Sequence, residues 1–331
     1  MKRILALLLA CLLLTGCGAS TAKEDTQEKE LETIDVVLDW YPNGVHAFLY
    51  QAMDKGYFED EGLKVNILFP ANSTDPLTMP AAGKADIGFY YQEDIIIAKA
   101  NENVPVKSLG AVVQEPLYVV CSLKDKGITK PEDLIGKTIG YNGTQFAELA
   151  VDQLLRSADA SLENVTMVDV GFDLMSSMTT GNVDATYGCF INHEVPALEE
   201  EGFALDMIQP TDYGSPNYYA LMLVTGEKQL AERKDAYTRF LRACKKGFED
   251  MKADPEGSLQ LMLHNQDTEN FPLNEAVERK SFEVLLPMME KEGAPFLSQT
   301  VESWQENMDW LYENGMIEST FDPNELIADL K

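Results

Sequence analysis

Two spacings alternate along this chain and limit what it can fold into. From Thr33 onward, Ile34, Val36 and Leu38 recur with period two, and Phe48, Leu49, Ala52 and Met53 then recur at helical spacing and stop near Gly56. Leu63, Val65 and Ile67 alternate again, which completes a β-α-β unit. A further helix from Pro76 to Ala82 ends at Gly83, and Asp86-Ile-Gly-Phe89 opens the next strand. A helix from Gln92 to Ala100 leads into a strand from Val104 to Val113. Alternation of this kind predicts an α/β lobe built on a mostly parallel sheet.

The pattern restarts after a Tyr118 to Leu123 strand. Lys137 to Tyr141 reads as a strand, Gln145 to Arg156 as a helix, Val165 to Val168 as a strand and Leu174 to Thr180 as a helix. Gly181-Asn-Val-Asp184 then echoes Gly83-Lys-Ala-Asp86 at an offset of 98 residues, with Gly ending a helix and Asp opening a strand each time. Two similar lobes are expected. Residues 34–114 and 225–331 would form the first and residues 115–224 the second. Beyond Tyr218 to Val224 the chain turns helical, at Asp235 to Lys252, Asn274 to Glu292 and Val301 to Asn314, a run expected to pack back onto the first lobe.

Charge removes several function classes. With 26 Lys+Arg against 55 Asp+Glu the net charge is −29 across 331 residues, while 45% of residues are apolar. The acidity therefore overlies an ordinary core, and a surface this negative repels nucleic acid and anionic headgroups. Lys2 and Arg3 precede eleven uncharged residues, Ile4 to Leu14, too few to cross a bilayer and suited to a secretory signal over residues 1–16. That run ends in Leu14-Thr15-Gly16-Cys17, which resembles the lipobox of bacterial lipoproteins, cut before a lipidated Cys17. An ordinary signal peptide with an incidental Cys is the other reading. Residues 17–33 lack large apolar groups and read as a flexible tether, so the expected location is outside the cytoplasm, on a lipid anchor. Without Lys2 and Arg3 the mature chain carries 24 basic and 55 acidic side chains, a net −31. Cys121, Cys189 and Cys244 are odd in number and lack C-x-x-C spacing, so buried free thiols are expected.

In open α/β sheets ligands sit beyond the carboxyl ends of the strands. Those loops read Asp39-Trp40-Tyr41-Pro42-Asn43 with His46 just beyond, Tyr90-Tyr91-Gln92-Glu93, Asn142-Gly143-Thr144, and Cys189-Phe-Ile-Asn192-His193-Glu194. Aromatic faces suit a flat π-bearing ligand, carboxylates suit hydrogen-bond donors, and the lack of Arg or Lys disfavours anions. The loops ask for a small, neutral or weakly basic aromatic amine. Asp39 or Asn192 could instead cap a helix, and His46 alone reads more readily as a helix-surface residue.

Several enzyme motifs fail. Gly136-Lys137-Thr138 suggests a P-loop, but position 131 is Pro where the first Gly belongs, and the triplet precedes a strand. His193-Glu194 would begin H-E-x-x-H, yet residue 197 is Ala, and three His without ligand spacing predict no metal centre. No Ser lies in a G-x-S-x-G elbow.

At Leu38-Asp-Trp-Tyr-Pro-Asn43 with His46, Gly56-Tyr-Phe-Glu-Asp-Glu-Gly62, Ala82-Gly-Lys-Ala-Asp86 and Phe190-Ile-Asn-His-Glu194, the chain closely resembles the ThiY-like substrate-binding proteins of ABC transporters, part of the wider thiamine-pyrimidine family. The similarity runs from about Ile34 to Lys252. The first and last motifs are specific to the pyrimidine branch, whereas G-Y-F-x-x-E-G is shared with binders of nitrate, sulfonates and riboflavin. The resemblance implies a type II periplasmic-binding fold, two α/β lobes joined by two crossovers, closing like a hinge on formylaminopyrimidine or a related aminopyrimidine precursor of thiamine. It further implies Trp40 and Tyr91 as stacking platforms, Asp39 and Asn43 as polar contacts of the first lobe, and Glu194 as the carboxylate for an amidine-like edge. His46, Tyr187, Asn192, Tyr213 and Tyr218 follow as a second tier. The implied partners are that ligand, a membrane permease and the membrane itself through Cys17, for a monomer that uses no cofactor. Another flat heterocycle such as riboflavin remains open as the ligand. A pyrimidine synthase of the same superfamily consumes its own His and depends on a Cys-rich segment. Here the corresponding stretches, Tyr90 to Asp94 and Gly214 to Tyr219, hold neither His nor Cys.

Overall fold

A computed structural model describes residues 31–270 and 272–330. The expected signal peptide, most of the tether and Cys17 lie outside the described residues. The strands are β1 (Glu32–Val37), β2 (Leu63–Leu68), β3 (Ile87–Tyr90), β4 (Val106–Val113), β5 (Tyr118–Leu123), β6 (Thr138–Tyr141), β7 (Thr166–Asp169), β8 (Ala185–Phe190), β9 (Leu205–Ile208) and β10 (Leu221–Gly226). The helices are α1 (Ala47–Asp54), α2 (Tyr57–Asp60), α3 (Asp75–Ala81), α4 (Gln92–Glu102), α5 (Gln145–Ser157), α6 (Leu174–Thr179), α7 (Glu194–Glu200), α8 (Glu227–Ala253), α9 (Pro255–Asn265), α10 (Glu275–Met289) and α11 (Val301–Glu313).

The strands form two five-stranded sheets of the same design, in the orders β2-β1-β3-β10-β4 and β7-β6-β8-β5-β9. In the first, β1 pairs in parallel with β2 and β3, and β10 runs antiparallel to β3 and β4. In the second, β6 pairs in parallel with β7 and β8, and β5 runs antiparallel to β8 and β9. Four of the five strands in each sheet thus point one way, as the alternation predicts for α/β.

The Gly–Asp echo marks equivalent positions in the two sheets. Gly83 and Gly181 both take φ near +70 to +80° as helix ends, where a side chain would be strained. Asp86 donates its N–H to Asp35 O and accepts the Asp35 N–H on Oδ2 at 2.9 Å. Asp184 does the same with Thr138, accepting its N–H at 3.0 Å. Each Asp therefore ties the start of β3 or β8 to its parallel neighbour. Each also meets a cation, Arg233 for Asp86 and Lys126 for Asp184.

Two sequence boundaries differ from the structure. The chain returns to the first sheet at Leu221, so the boundary expected after residue 224 would cut through β10. The helix expected from Asp235 starts at Glu227 and breaks at Arg233, whose backbone leaves the helical region while its guanidinium binds Glu32, Thr33 O and Asp86. Short elements β9, α2 and α7 had too few residues to display a period, and α9, eleven residues long, was not read from the sequence either. Helix α8 lies along α1 and α2, so the C-terminal helical run does return to the first sheet. Gly247 makes that approach possible, since a Cβ there would stand 2.1 Å from Phe48 O. Cys121, Cys189 and Cys244 are free and buried.

Candidate functional site

The loops at the carboxyl ends of β1, β3, β6 and β8 converge between the two sheets. Asp39, Trp40, Asn43, Tyr91, Asn192 and Glu194 all line one inner chamber, which encloses about 40 Å³. Trp40 and Glu194 also border an outer chamber of about 310 Å³, walled by Tyr41, Phe69 and Pro70 on one side and Phe172, Leu174 and Met175 on the other. The inner volume holds little more than one water, whereas the outer volume lies at the small end of known ligand sites. Among the described residues, neither chamber is lined by Lys or Arg. A separate surface concavity of about 870 Å³ is an acidic groove beside α11 that shares no residue with these chambers.

The walls are aromatic. Trp40 meets Phe172 of the opposite wall edge-on, with centroids 4.5 Å apart. Tyr91, 9% exposed, forms the floor with Tyr118 at 5.7 Å, and Tyr118 packs against Phe190 at 4.6 Å. Edge-on and tilted arrangements of this kind leave ring faces available for a flat ligand. Phe69 and Phe172, both about half exposed, are the lips of the outer chamber.

Asp39 is buried and held by His46. His46 Nδ1 accepts the Asn43 N–H at 3.3 Å, so the ring proton resides on Nε2, which donates to Asp39 Oδ1 at 3.0 Å. His46 is wholly buried and borders neither chamber. It acts on the site through Asp39. Asn43 caps the following turn: its Oδ1 accepts from Val45 N–H at 3.1 Å and its Nδ2 donates to Tyr41 O at 3.2 Å. Although it borders the chamber, its hydrogen-bonding capacity is largely committed to the loop.

Glu194 opens α7 with its carboxylate turned back. Oε2 accepts the Phe190 N–H at 2.8 Å, and Oε1 faces His193 Nδ1 at 2.9 Å. Burial pushes its carboxyl up, but His193 and the backbone N–H outweigh that, so the group lies below the usual carboxylate range and is ionised at neutral pH. Each oxygen keeps a lone pair for a further donor. Asn192 donates through Nδ2 to Ser281 Oγ at 3.1 Å, while its buried Oδ1 carries no hydrogen bond. The chamber therefore presents acceptors at Asp39, Asn192 and Glu194 between aromatic faces.

The remaining sequence candidates lie elsewhere. Tyr187 is buried within the second sheet beneath Tyr118 at 5.6 Å. Tyr218 is buried edge-on to Phe146 at 5.6 Å, and Tyr213 ends a 3-10 turn beside α5. None of the three borders either chamber. Tyr187 and Tyr218 instead flank Glu93, which is 1% exposed with neither oxygen hydrogen-bonded, and whose pKa burial drives well above the carboxylate range. Tyr41, Phe69, Phe172 and Met175 were missed. Phe69 and Phe172 follow β2 and β7, so the strand-end rule applied to the edge strands would have found both. Glu278 of α10 was also missed, and no local pattern announces it. Its Oε2 accepts the Gly44 N–H at 2.7 Å.

Comparison with known proteins agrees with this geometry. The chain is 42% identical over 316 residues to the formylaminopyrimidine-binding protein of Halalkalibacterium halodurans, covering 96% of this chain and 94% of that one. It is 27% identical over 306 residues to a 4-amino-5-hydroxymethyl-2-methylpyrimidine phosphate synthase of Aspergillus parasiticus, covering 88% and 86%. The fold matches the periplasmic aliphatic sulphonate binding protein of Escherichia coli with a TM-score of 0.68 at 15% identity, covering 90% and 97%. That likeness confirms the two-lobe type II periplasmic-binding architecture. The model of the NMT1/THI5 like family matches residues 43–258, and the chain belongs to that family.

Proposed function

We propose that this protein is the extracytoplasmic solute-binding component of an ABC importer and captures a thiamine-precursor aminopyrimidine, formylaminopyrimidine or a close relative. The observation that carries the reading is the chamber itself, aromatic on both walls, supplied with carboxylate and amide acceptors and bordered by neither Lys nor Arg among the described residues. An aminopyrimidine matches it, since the ring stacks on Trp40 or Tyr91 while its amino group donates to Glu194 or Asp39. The 42% identity to a formylaminopyrimidine-binding protein supports the same choice. Charge-assisted hydrogen bonds in such a site contribute about 1.5–3 kcal/mol each.

Residues 34–113 with 221–330 form one lobe of this reading and residues 118–213 the other, and the segments between them act as the hinge. Ligand contacts from both lobes bias the equilibrium toward closure. The lipobox-like Leu14-Thr15-Gly16-Cys17 supports a lipid anchor at Cys17, beside the membrane permease that receives the ligand. An outer chamber of about 310 Å³ favours a single ring over a tricyclic flavin. The family also contains synthases, but Tyr90 to Asp94 and Gly214 to Tyr219 offer no His or Cys to be consumed, which favours binding without turnover. Native mass spectrometry of protein purified from cells tests the assignment. Release of an aminopyrimidine is the expected result, and recovery of a flavin, an anion or a covalently altered protein side chain would overturn it.

A further inference from the structure

The turn that carries Glu194 is bound from the opposite side of the cleft by α10, a helix of the first half. Asn192 Nδ2 donates to Ser281 Oγ at 3.1 Å. One residue on, His193 has Glu194 Oε1 2.9 Å from Nδ1, and Glu278 Oε1 3.8 Å and the Tyr41 hydroxyl 3.4 Å from Nε2. Glu278 is 1% exposed and is fixed in the first half by the Gly44 N–H. A 6%-exposed imidazole therefore stands between two carboxylates that belong to different halves of the molecule.

We propose that His193 is a proton-operated clasp: bound between Glu194 and Glu278 it joins the two halves across the cleft, and it makes ligand retention depend on pH. The proposal rests on the binding reading above and adds to it a pair of positioning residues, His193 and Glu278, that hold the Glu194 turn without needing to touch the ligand.

The proton count follows from the geometry. Nδ1 carries a hydrogen because it faces a carboxylate. With Nε2 bare, the ring accepts from the Tyr41 hydroxyl, and Glu278 is a buried carboxylate facing no cation. With Nε2 protonated, the imidazolium faces a carboxylate on each side. The groups around the ring are Glu194 on α7, Glu278 on α10, and Tyr41 and Asp39 on the loop after β1. Burial lowers the imidazolium, but the carboxylates of Glu194, Glu278 and Asp39 outweigh it and hold His193 above its ordinary value. Burial pushes Glu278 up as well. Tyr41, pushed up to about 12 mainly by burial, stays protonated throughout.

When the halves separate, α10 leaves the turn, and His193 returns to water and a value of about 6.5. The joined state therefore binds the proton more tightly than the separated one. Its advantage is complete below about pH 6.5 and is lost as pH rises through the raised value. Glu278 acts in the same direction, because its buried carboxyl also favours the protonated joined form. Retention is expected to weaken as pH rises from 6 to 8, by at most tenfold per pH unit for each proton linked.

The test measures formylaminopyrimidine binding by calorimetry between pH 5.5 and 8.5 for the wild type, His193→Gln and Glu278→Gln, with small-angle scattering of the ligand-free proteins over the same range. Glu278→Gln keeps an acceptor for Gly44 N–H, so it guards against a mere folding defect. The wild type should lose affinity and become less compact with rising pH, and His193→Gln and Glu278→Gln should each show a reduced span, because each removes one of the two linked groups. A flat wild-type profile in both measurements, or an unchanged profile in His193→Gln, overturns the clasp while leaving the ligand assignment standing. If formylaminopyrimidine fails to bind at any pH, the ligand assignment falls and the scattering profile alone decides the clasp: titrating compaction supports it, and pH-independent dimensions overturn it.

Discussion

A single carboxylate shows how each side chain divides its work. Glu194 already accepts the Phe190 N–H and faces His193, so its charge is held in place before any ligand arrives. Such preorganisation removes an ordering cost from binding. Glu194→Gln keeps the size but removes the charge, and it exchanges one acceptor for an NH₂ that would confront the Phe190 N–H, His193 or the ligand's own donor. Calorimetry should show affinity weakened by about 1.5–3 kcal/mol; unchanged affinity would mean that the carboxylate serves only the turn. Residues of this kind were legible because they follow strand ends, where any α/β sheet places its ligand contacts. What the sequence could not display is which polar atoms are already committed. Asn43 and His46 have the right chemistry at the right place, yet Asn43 closes a turn and His46 sets the orientation of Asp39. Tyr187 and Tyr218 are tyrosines near strand ends too, but they face inward around Glu93, and side-chain direction within a curved sheet is a tertiary property.

Between elements, the informative feature is the paired aspartate. Asp86 and Asp184 make the same two hydrogen bonds to the neighbouring parallel strand, and two tetrapeptides 98 residues apart were enough to suggest it. Their surroundings differ. Asp86 is 8% exposed and also receives Arg233 and the Tyr237 hydroxyl at 3.1 Å. The Asp184 side chain is 30% exposed, with Lys126 at 3.0 Å. The Thr138 N–H and then Lys126 hold Asp184 below the usual carboxylate range, so its contribution is present at neutral pH and lost on acidification. Asp86→Ala leaves the Asp35 N–H without its acceptor and removes one of the partners of the Arg233 guanidinium, which keeps Glu32 and Thr33 O, and should destabilise by about 2–3 kcal/mol. Asp184→Ala, exposed to solvent, should lose about 1–2 kcal/mol. Denaturant titration of both variants at neutral pH checks the order, and equal losses would contradict the difference in burial. The elements that escaped the sequence were the short ones and α9, together with the segment of α8 before its break at Arg233, whose guanidinium reaches Glu32 and Asp86.

At the scale of the molecule, the architecture by itself leaves the ligand's charge open. The periplasmic aliphatic sulphonate binding protein of Escherichia coli shares this fold, and a sulphonate is an anion. The overall topology therefore says little about the ligand, which is decided by the side chains at the strand ends. Here those ends carry Asp39 and Glu194 with no Lys or Arg among the residues bordering the chambers, within a chain of net charge −29. A sulfonate entering the site would lose its hydration, meet two carboxylates and find no Lys or Arg in compensation, since the His193 imidazole is already held between Glu194 and Glu278. An aminopyrimidine loses far less on desolvation and donates to both. Thermal unfolding separates the two cases in one experiment, because a ligand that binds only the folded state at 100 times its Kd stabilises by about 2.7 kcal/mol. Formylaminopyrimidine should raise Tm by several degrees, and an alkanesulfonate at millimolar concentration should leave it unchanged at low and at physiological salt alike. A rise with the sulfonate that fades on adding salt would instead reveal a cation reaching the cleft, and the charge argument for the ligand would fail with it.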